Sequence, residues 1–165
     1  MKQLDHNQPR VLIILYSYHH NNTEKIAEVF AKILDAEIKN PDQVDFQEIQ
    51  NYPILGFGSG IYSQKHHDLI LKLAESLPNT SKKQAFLFST AALTSKRKMG
   101  EDHSNLREKL QSKGYQIIDE FQCKGFNTNS FLKYFGGMNK GRPNAEDFKN
   151  AEQFARNLKQ TLSSM

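Results

Sequence analysis

Six consecutive residues, Val11-Leu12-Ile13-Ile14-Leu15-Tyr16, leave little freedom in how this chain can be built. A strand with one wet face alternates apolar and polar side chains. A strand apolar throughout must be covered on both faces, as in the middle of a parallel sheet. Helical spacing follows directly, with Ile26, Val29, Phe30, Ile33 and Leu34 forming one apolar stripe. Strand-length runs and helical patterns then keep alternating, the arrangement of stacked βαβ units.

Ala36–Lys39 reads as a short edge strand and Asp42–Gln50 as one or two helical turns. Tyr52–Phe57 is a third strand, with Pro53 near its start where a missing N–H is tolerated. A Gly-rich loop follows, then a helix marked by Ile70, Leu73, Ala74 and Leu77 and stopped by Pro78. Gln84–Phe88 is the fourth strand, Asp102–Lys113 a helix ended by Gly114, and Tyr115–Lys124 the fifth strand. In 125–143 the glycines and Pro143 predict a loop that Phe126, Phe131, Tyr134 and Phe135 pack down. Asn144 caps a last helix, with Asp147 at its third position. The expectation is an α/β protein, a three-layer α/β/α sandwich on five strands. It comprises a flexible lead-in over 1–10 and a single domain over 11–165.

At 165 residues the chain can bury a substantial core. No apolar stretch approaches the roughly 20 residues of a membrane span. The opening decapeptide is polar, unlike a signal peptide. Cys123 is the single cysteine, so no intrachain disulfide forms, which fits a reducing cytoplasm. Charge is uneven: residues 1–81 hold 7 Lys/Arg against 10 Asp/Glu, and residues 82–165 hold 15 against 8. The excess never forms a run beyond Lys96-Arg97-Lys98. A solvated face fits that dilution best; an acidic partner or nucleic acid is only weakly signalled.

Three loops at the carboxyl ends of strands carry the chemistry. Ser17-Tyr18-His19-His20-Asn21-Asn22-Thr23 brings hydroxyls, amides and backbone N–H groups to a helix N-terminus, where an anion is favoured. A phosphate monoester suits it; an ordinary polar turn with a capped helix is the alternative. No Gly-x-x-x-x-Gly-Lys or Gly-x-Gly-x-x-Gly motif is present at this position. In the second loop the three glycines of Gly56-Phe57-Gly58-Ser59-Gly60-Ile61-Tyr62-Ser63 permit positive φ and close approach to a flat ring, and Tyr62 offers a stacking face. Ser89-Thr90-Ala91-Ala92-Leu93-Thr94 supplies small residues and hydroxyls. The pairs His19-His20 and His66-His67 lack the Cys/Asp/Glu spacing that completes a metal centre, and no metal is expected.

On these stretches, together with Cys123-Lys124-Gly125-Phe126-Asn127-Thr128 and Gly136–Asn144, the chain resembles the short-chain flavodoxins, small proteins that bind FMN. The resemblance covers most of the chain from Val11 onward. It implies a parallel sheet of strand order 2-1-3-4-5 with FMN at the switch between strands one and three. By motif position, Ser17, Tyr18, His19, His20, Asn21, Asn22 and Thr23 would hold the phosphate. Gly58, Ser59, Gly60, Ile61 and Tyr62 would border the flavin ring, and Ser89, Thr90, Ala91, Ala92 and Leu93 would close its other side. Two features depart from the usual pattern: histidines and Asn21 replace the customary hydroxyl and glycine, and the protein is basic where flavodoxins are acidic.

No acid, base or nucleophile stands out, as expected where a cofactor carries the electrons. The resemblance implies an electron carrier working between redox protein partners. The alternatives are an FMN-dependent oxidoreductase of quinone or protoporphyrinogen-reductase type, and a flavin-free basic interaction module.

Overall fold

A computed structural model of the chain describes residues 8–128, 134 and 136–164. The sheet is built from β1 (Val11–Tyr16), β2 (Glu37–Lys39), β3 (Ile54–Tyr62), β4 (Lys65–His66), β5 (Gln84–Ala91) and β6 (Gln116–Lys124). The helices are α1 (Asn22–Leu34), α2 (Phe46–Ile49), α3 (Asp68–Ser76), α4 (Lys96–Ser112) and α5 (Ala145–Ser163). The parallel order is β2-β1-β3-β5-β6, with β4 added antiparallel at the end of β3. With that two-residue strand set aside, this is the order 2-1-3-4-5. The first seven residues of the expected lead-in lie outside the described residues, as do Phe131 and Phe135 of the 125–143 loop.

β1 shows why its sequence is apolar at every position. Val11, Ile13 and Leu15 pack into a cluster with α1 and α5, while Leu12 and Ile14 pack into a second cluster with α3 and α4. Apolar burial near 25 cal/mol per Å² therefore operates on both faces of the central strand. The α1/α5 side is aromatic: Phe30 sits edge-on to Phe86, Phe88 and Phe121, at centroid separations of 6.1, 5.1 and 5.5 Å.

The Gly-rich segment departs from the expected loop. β3 runs straight through Gly56, Gly58 and Gly60 to Tyr62, and none of the three has positive φ. The turn comes afterwards at Ser63 (φ 49°) and Gln64 (φ 63°), a two-residue reversal whose paired left-handed residues match the twist of a hairpin. Gly56 and Gly58 serve the core instead. A Cβ on Gly56 would lie 2.4 Å from Phe86 Cζ, and one on Gly58 only 2.1 Å from Phe88 Cζ. Both phenyl rings lie flat across the neighbouring strand where β3 has no side chain.

β5 likewise extends to Ala91, three residues beyond its expected end, and α4 starts at Lys96 rather than near Asp102. Between Ala85 and Phe86 the β5–β6 register slips by one residue. That bulge inverts the alternation of β6: Phe121 and Cys123 face the aromatic cluster, and Glu120 and Gln122 face α4.

α5 begins as expected. Asn144 accepts from the Asp147 N–H at 3.1 Å, and Asp147 returns the bond to the Asn144 N–H at 2.8 Å, a reciprocal capping box. Asn144→Ala is expected to cost about 1 kcal/mol. A thermal melt should then fall by roughly 2–4 °C.

Candidate functional site

The carboxyl ends of β1, β3 and β5 open into a cleft where the strand order reverses, the position at which open α/β sheets bind ligands. Its walls come from the β1–α1 loop, the end of β3, the end of β5 and residues 125–127. Ser17, Tyr18, His19, Asn22 and Thr23 line one side, Gly60, Ile61 and Tyr62 the floor, and Thr90, Ala91 and Ala92 the other side.

The first residues of α1, Asn22 and Thr23, line this cleft, and the residue at the cap position does not close the helix end with its side chain. His20 (φ 55°) and Asn21 (φ 50°) are both left-handed, and Asn21 makes no capping bond with its side chain. Ser17 Oγ accepts from the Glu24 N–H at 3.3 Å, which leaves its hydroxyl proton available to a ligand oxygen. Thr23 and Thr90 hydroxyls meet at 2.9 Å across the gap between α1 and β5.

Asn22 is the most informative residue. Its Nδ2 donates to the Phe126 carbonyl at 2.8 Å, tying the first loop to a segment 104 positions away. Gly125 stands where any Cβ would meet Asn22 Nδ2 at 2.9 Å and Thr90 Cβ at 3.1 Å. The amide oxygen Oδ1 is buried and has no hydrogen-bond partner among the described residues. A buried acceptor left without a donor costs about 1–3 kcal/mol, so a ligand that donates there recovers that energy.

Six of the sequence-derived residues lie off the cleft wall. His20 turns aside, pairing its Nε2 with Thr128 Oγ1 at 2.9 Å and packing on Phe126. Asn21 forms the left-handed cap, Gly58 lies beneath Phe88, and Leu93 projects outward at 64% exposure. Ser59 and Ser89 are fully buried behind the floor, because side chains on a strand alternate and theirs fall on the α3/α4 face. Conversely Gly125, Phe126 and Asn127 are cleft residues that the motif assignment did not include. Their signal lay in the Cys123–Thr128 stretch of the resemblance.

Behind the floor lies a buried polar network. Ser59 Oγ donates to the Gly60 carbonyl (2.8 Å) and accepts the His67 N–H (3.0 Å). With the hydroxyl proton committed, its 2.9 Å contact to His66 Nδ1 makes that ring nitrogen the donor. His66 Nε2 is then a bare acceptor, buried with no partner among the described residues, and the ring lies 4.8 Å from that of His103. Burial, with His103 nearby, depresses the His66 pKa well below its ordinary value, so the ring is neutral.

His103 contacts Ser89 Oγ at 2.7 Å and Glu120 Oε2 at 3.0 Å. Arg107 grips the same carboxylate at 2.6 and 2.8 Å. Burial pushes the Glu120 pKa up, but hydrogen bonds from His103 and Arg107 outweigh it and hold the carboxyl at about 2. Ser89, His103 and Glu120 thus stand in the order of a hydrolytic triad. No substrate reaches them, since Ser89 and His103 have no exposed surface and Ser89 Oγ also receives Gln122 Nε2 at 3.1 Å. The network is structural.

His67 caps α3 by accepting the Leu69 N–H at 3.2 Å and stacks on Tyr16 at 4.0 Å. Lys65 is neutralised by Asp68 at 2.8 Å. Burial drives the Cys123 thiol up to about 12, so it stays protonated and inert. Among the described residues no three His, Cys, Asp or Glu side chains are grouped to hold a metal, and no helix is long and apolar enough to cross a membrane.

Comparison with known proteins agrees with the fold. An uncharacterized protein of Methanocaldococcus jannaschii is 48% identical over 149 residues, spanning 90% of this chain and 97% of the relative. Oxidised flavodoxin 2 from Bacillus cereus superposes with a TM-score of 0.67 at 16% identity, covering 92% of this chain and 99% of that one. A flavodoxin from the domain Archaea superposes at 0.63 with 14% identity, covering 93% and 97%. A family model described as a flavodoxin domain matches residues 13–160, and the chain belongs to that family.

Proposed function

We propose that this protein carries electrons between redox proteins on a noncovalently held FMN. The unpartnered Asn22 Oδ1, buried in a cleft at the sheet's switch point, is the observation that carries the reading. Because Oδ1 accepts and never donates, it suits a ribityl hydroxyl better than an ionised phosphate oxygen, and we place Asn22 against the ribityl chain. Ser17, Tyr18, His19 and the α1 N-terminus remain for the phosphate, favoured by the helix dipole. Gly60, Ile61 and Tyr62 would border the ring on one side and Thr90, Ala91 and Ala92 on the other. FMN, when bound, supplies the redox chemistry; the protein binds it, orients it and limits its contact with water.

FMN added to the purified protein should give visible flavin absorption that stays with the protein through gel filtration. No retained flavin would end the reading. Asn22→Ala should weaken FMN about tenfold or more, the loss of one buried hydrogen bond together with the tie to Phe126. Lumiflavin, which has no ribityl chain, should bind wild type and variant within a factor of about two, because it never reaches Oδ1. Rapid NAD(P)H–quinone turnover by the isolated protein would point instead to an oxidoreductase.

A further inference from the structure

Three lysines from the basic half of the chain stand on segments at one rim of the cleft. β5 ends at Ala91, paired in register with Lys124 at the end of β6. Asn139 Nδ2 donates to the carbonyls of Ala92 (2.7 Å) and Gly125 (3.3 Å), which fastens the turn bearing Lys140 to the same corner. α4 begins there at Lys96, directly after its cap Ser95. Lys96, Lys124 and Lys140 therefore surround the wall formed by Ala91, Ala92 and Gly125.

Among the described residues none of these three lysines makes an ion pair. The nearby carboxylates are already engaged: Glu101 with Arg97, Asp102 with Lys98, Glu120 with Arg107 and Asp147 with Arg142. Within the rim two large side chains stand in solvent: Leu93 at 64% exposure, three residues before Lys96, and Tyr18 at 69% on the facing β1–α1 loop.

We propose that this corner docks a redox protein with an acidic face, Leu93 and Tyr18 forming the apolar centre and Lys96, Lys124 and Lys140 the basic rim. The redox character of the partner rests on the function proposed above; its acidity rests on the rim alone. An apolar centre ringed by charge is the anatomy of a transient protein interface. A nucleic-acid surface would instead track phosphates with a run of cations and stacking rings, whereas these lysines stand on three separate segments around an aliphatic side chain. Complementary rim charge acts chiefly on encounter and orientation, which suits a carrier that must bind and leave quickly.

The test titrates the full-length protein, with and without added FMN, against an acidic [2Fe–2S] ferredoxin, basic cytochrome c and a single-stranded oligonucleotide. Ferredoxin should bind, cytochrome c should not, and ferredoxin affinity should fall about tenfold between about 20 and 200 mM salt. Lys96→Glu/Lys124→Glu/Lys140→Glu should weaken ferredoxin about 30-fold while FMN affinity and melting temperature stay unchanged. Absence of ferredoxin binding, equal binding by the triple variant, or a preference for cytochrome c would overturn the proposal. So would tighter binding of the oligonucleotide than of ferredoxin. Failure of FMN to bind shows in the absorption spectrum alone and leaves the ferredoxin arm readable, so the two readings fail separately.

Discussion

Gly58→Ala is expected to lower the melting temperature by about 5–10 °C, an overpacking cost of roughly 2–3 kcal/mol. The backbone of Gly58 is ordinary extended strand, so alanine meets no conformational penalty there and gains slightly in strand preference. Any loss is steric. The new Cβ would press within 2.1 Å of Phe88 Cζ, and Phe88 has no room to retreat from Phe30 and Phe86. Phe88→Leu in the Gly58→Ala background should recover part of the loss, giving a favourable coupling in a double-mutant cycle. An unchanged melt combined with weakened FMN binding would show that Gly58 serves the ligand and not the core.

The second large effect concerns Glu120. Glu120→Gln removes the charge that neutralises Arg107 inside the protein and weakens the acceptor for the His103 ring. Breaking such a partly buried pair typically costs about 3 kcal/mol, visible as a lower urea midpoint at pH 7. The pH dependence gives an independent check. Glu120 is held at about 2 against an ordinary 4.5, so its stabilisation is complete above pH 4.5 and fades as pH falls toward 2. That slope should be shallower in Glu120→Gln than in the wild type, the remainder coming from other paired carboxylates such as Glu37. His66 acts earlier: its depressed pKa means stability begins to fall once pH drops below its ordinary 6.5, where the unfolded chain takes up a proton that the buried ring refuses. Urea midpoints at pH 7, 5.5, 4 and 3 separate the two. A Glu120→Gln protein with the wild-type profile below pH 4.5 would refute the assignment.

Much of the site was visible in the chain because the determinants are local. The β1–α1 junction could be read from an apolar run ending in hydroxyls and amides, and six of its neighbours on the cleft wall follow from the segments ending strands three and four. The α5 cap was legible for the same reason: Asn144 and Asp147 are three residues apart and bond to each other's backbone. Leu106 and Leu110 of α4, and Ala151, Ala155, Leu158 and Leu162 of α5, are buried as their spacing requires.

Other features lay in relations between distant segments. The same three glycines suit a ligand loop and a strand crossed by aromatic rings; only the pairing of Gly56 with Phe86 and Gly58 with Phe88 distinguishes them. Asn22 reads locally as a loop amide; only the fold ties its Nδ2 to the Phe126 carbonyl and leaves its Oδ1 buried with no partner among the described residues. Ser59 and Ser89 read as loop hydroxyls, yet both are strand residues bonded to His66 and His103 instead of lining the cleft.

By itself, the sequence determined the alternation of strands and helices, the two-sided burial of β1 and the caps, since periodicity and backbone hydrogen bonding act over a few residues. The tertiary structure alone decided the choice of face on β6. One bulge beside Phe86 turns Glu120 toward His103 and Arg107 instead of into the phenylalanine cluster. A one-residue slip reverses every side chain beyond it, and what fixes it is the partner strand, which the local pattern does not contain.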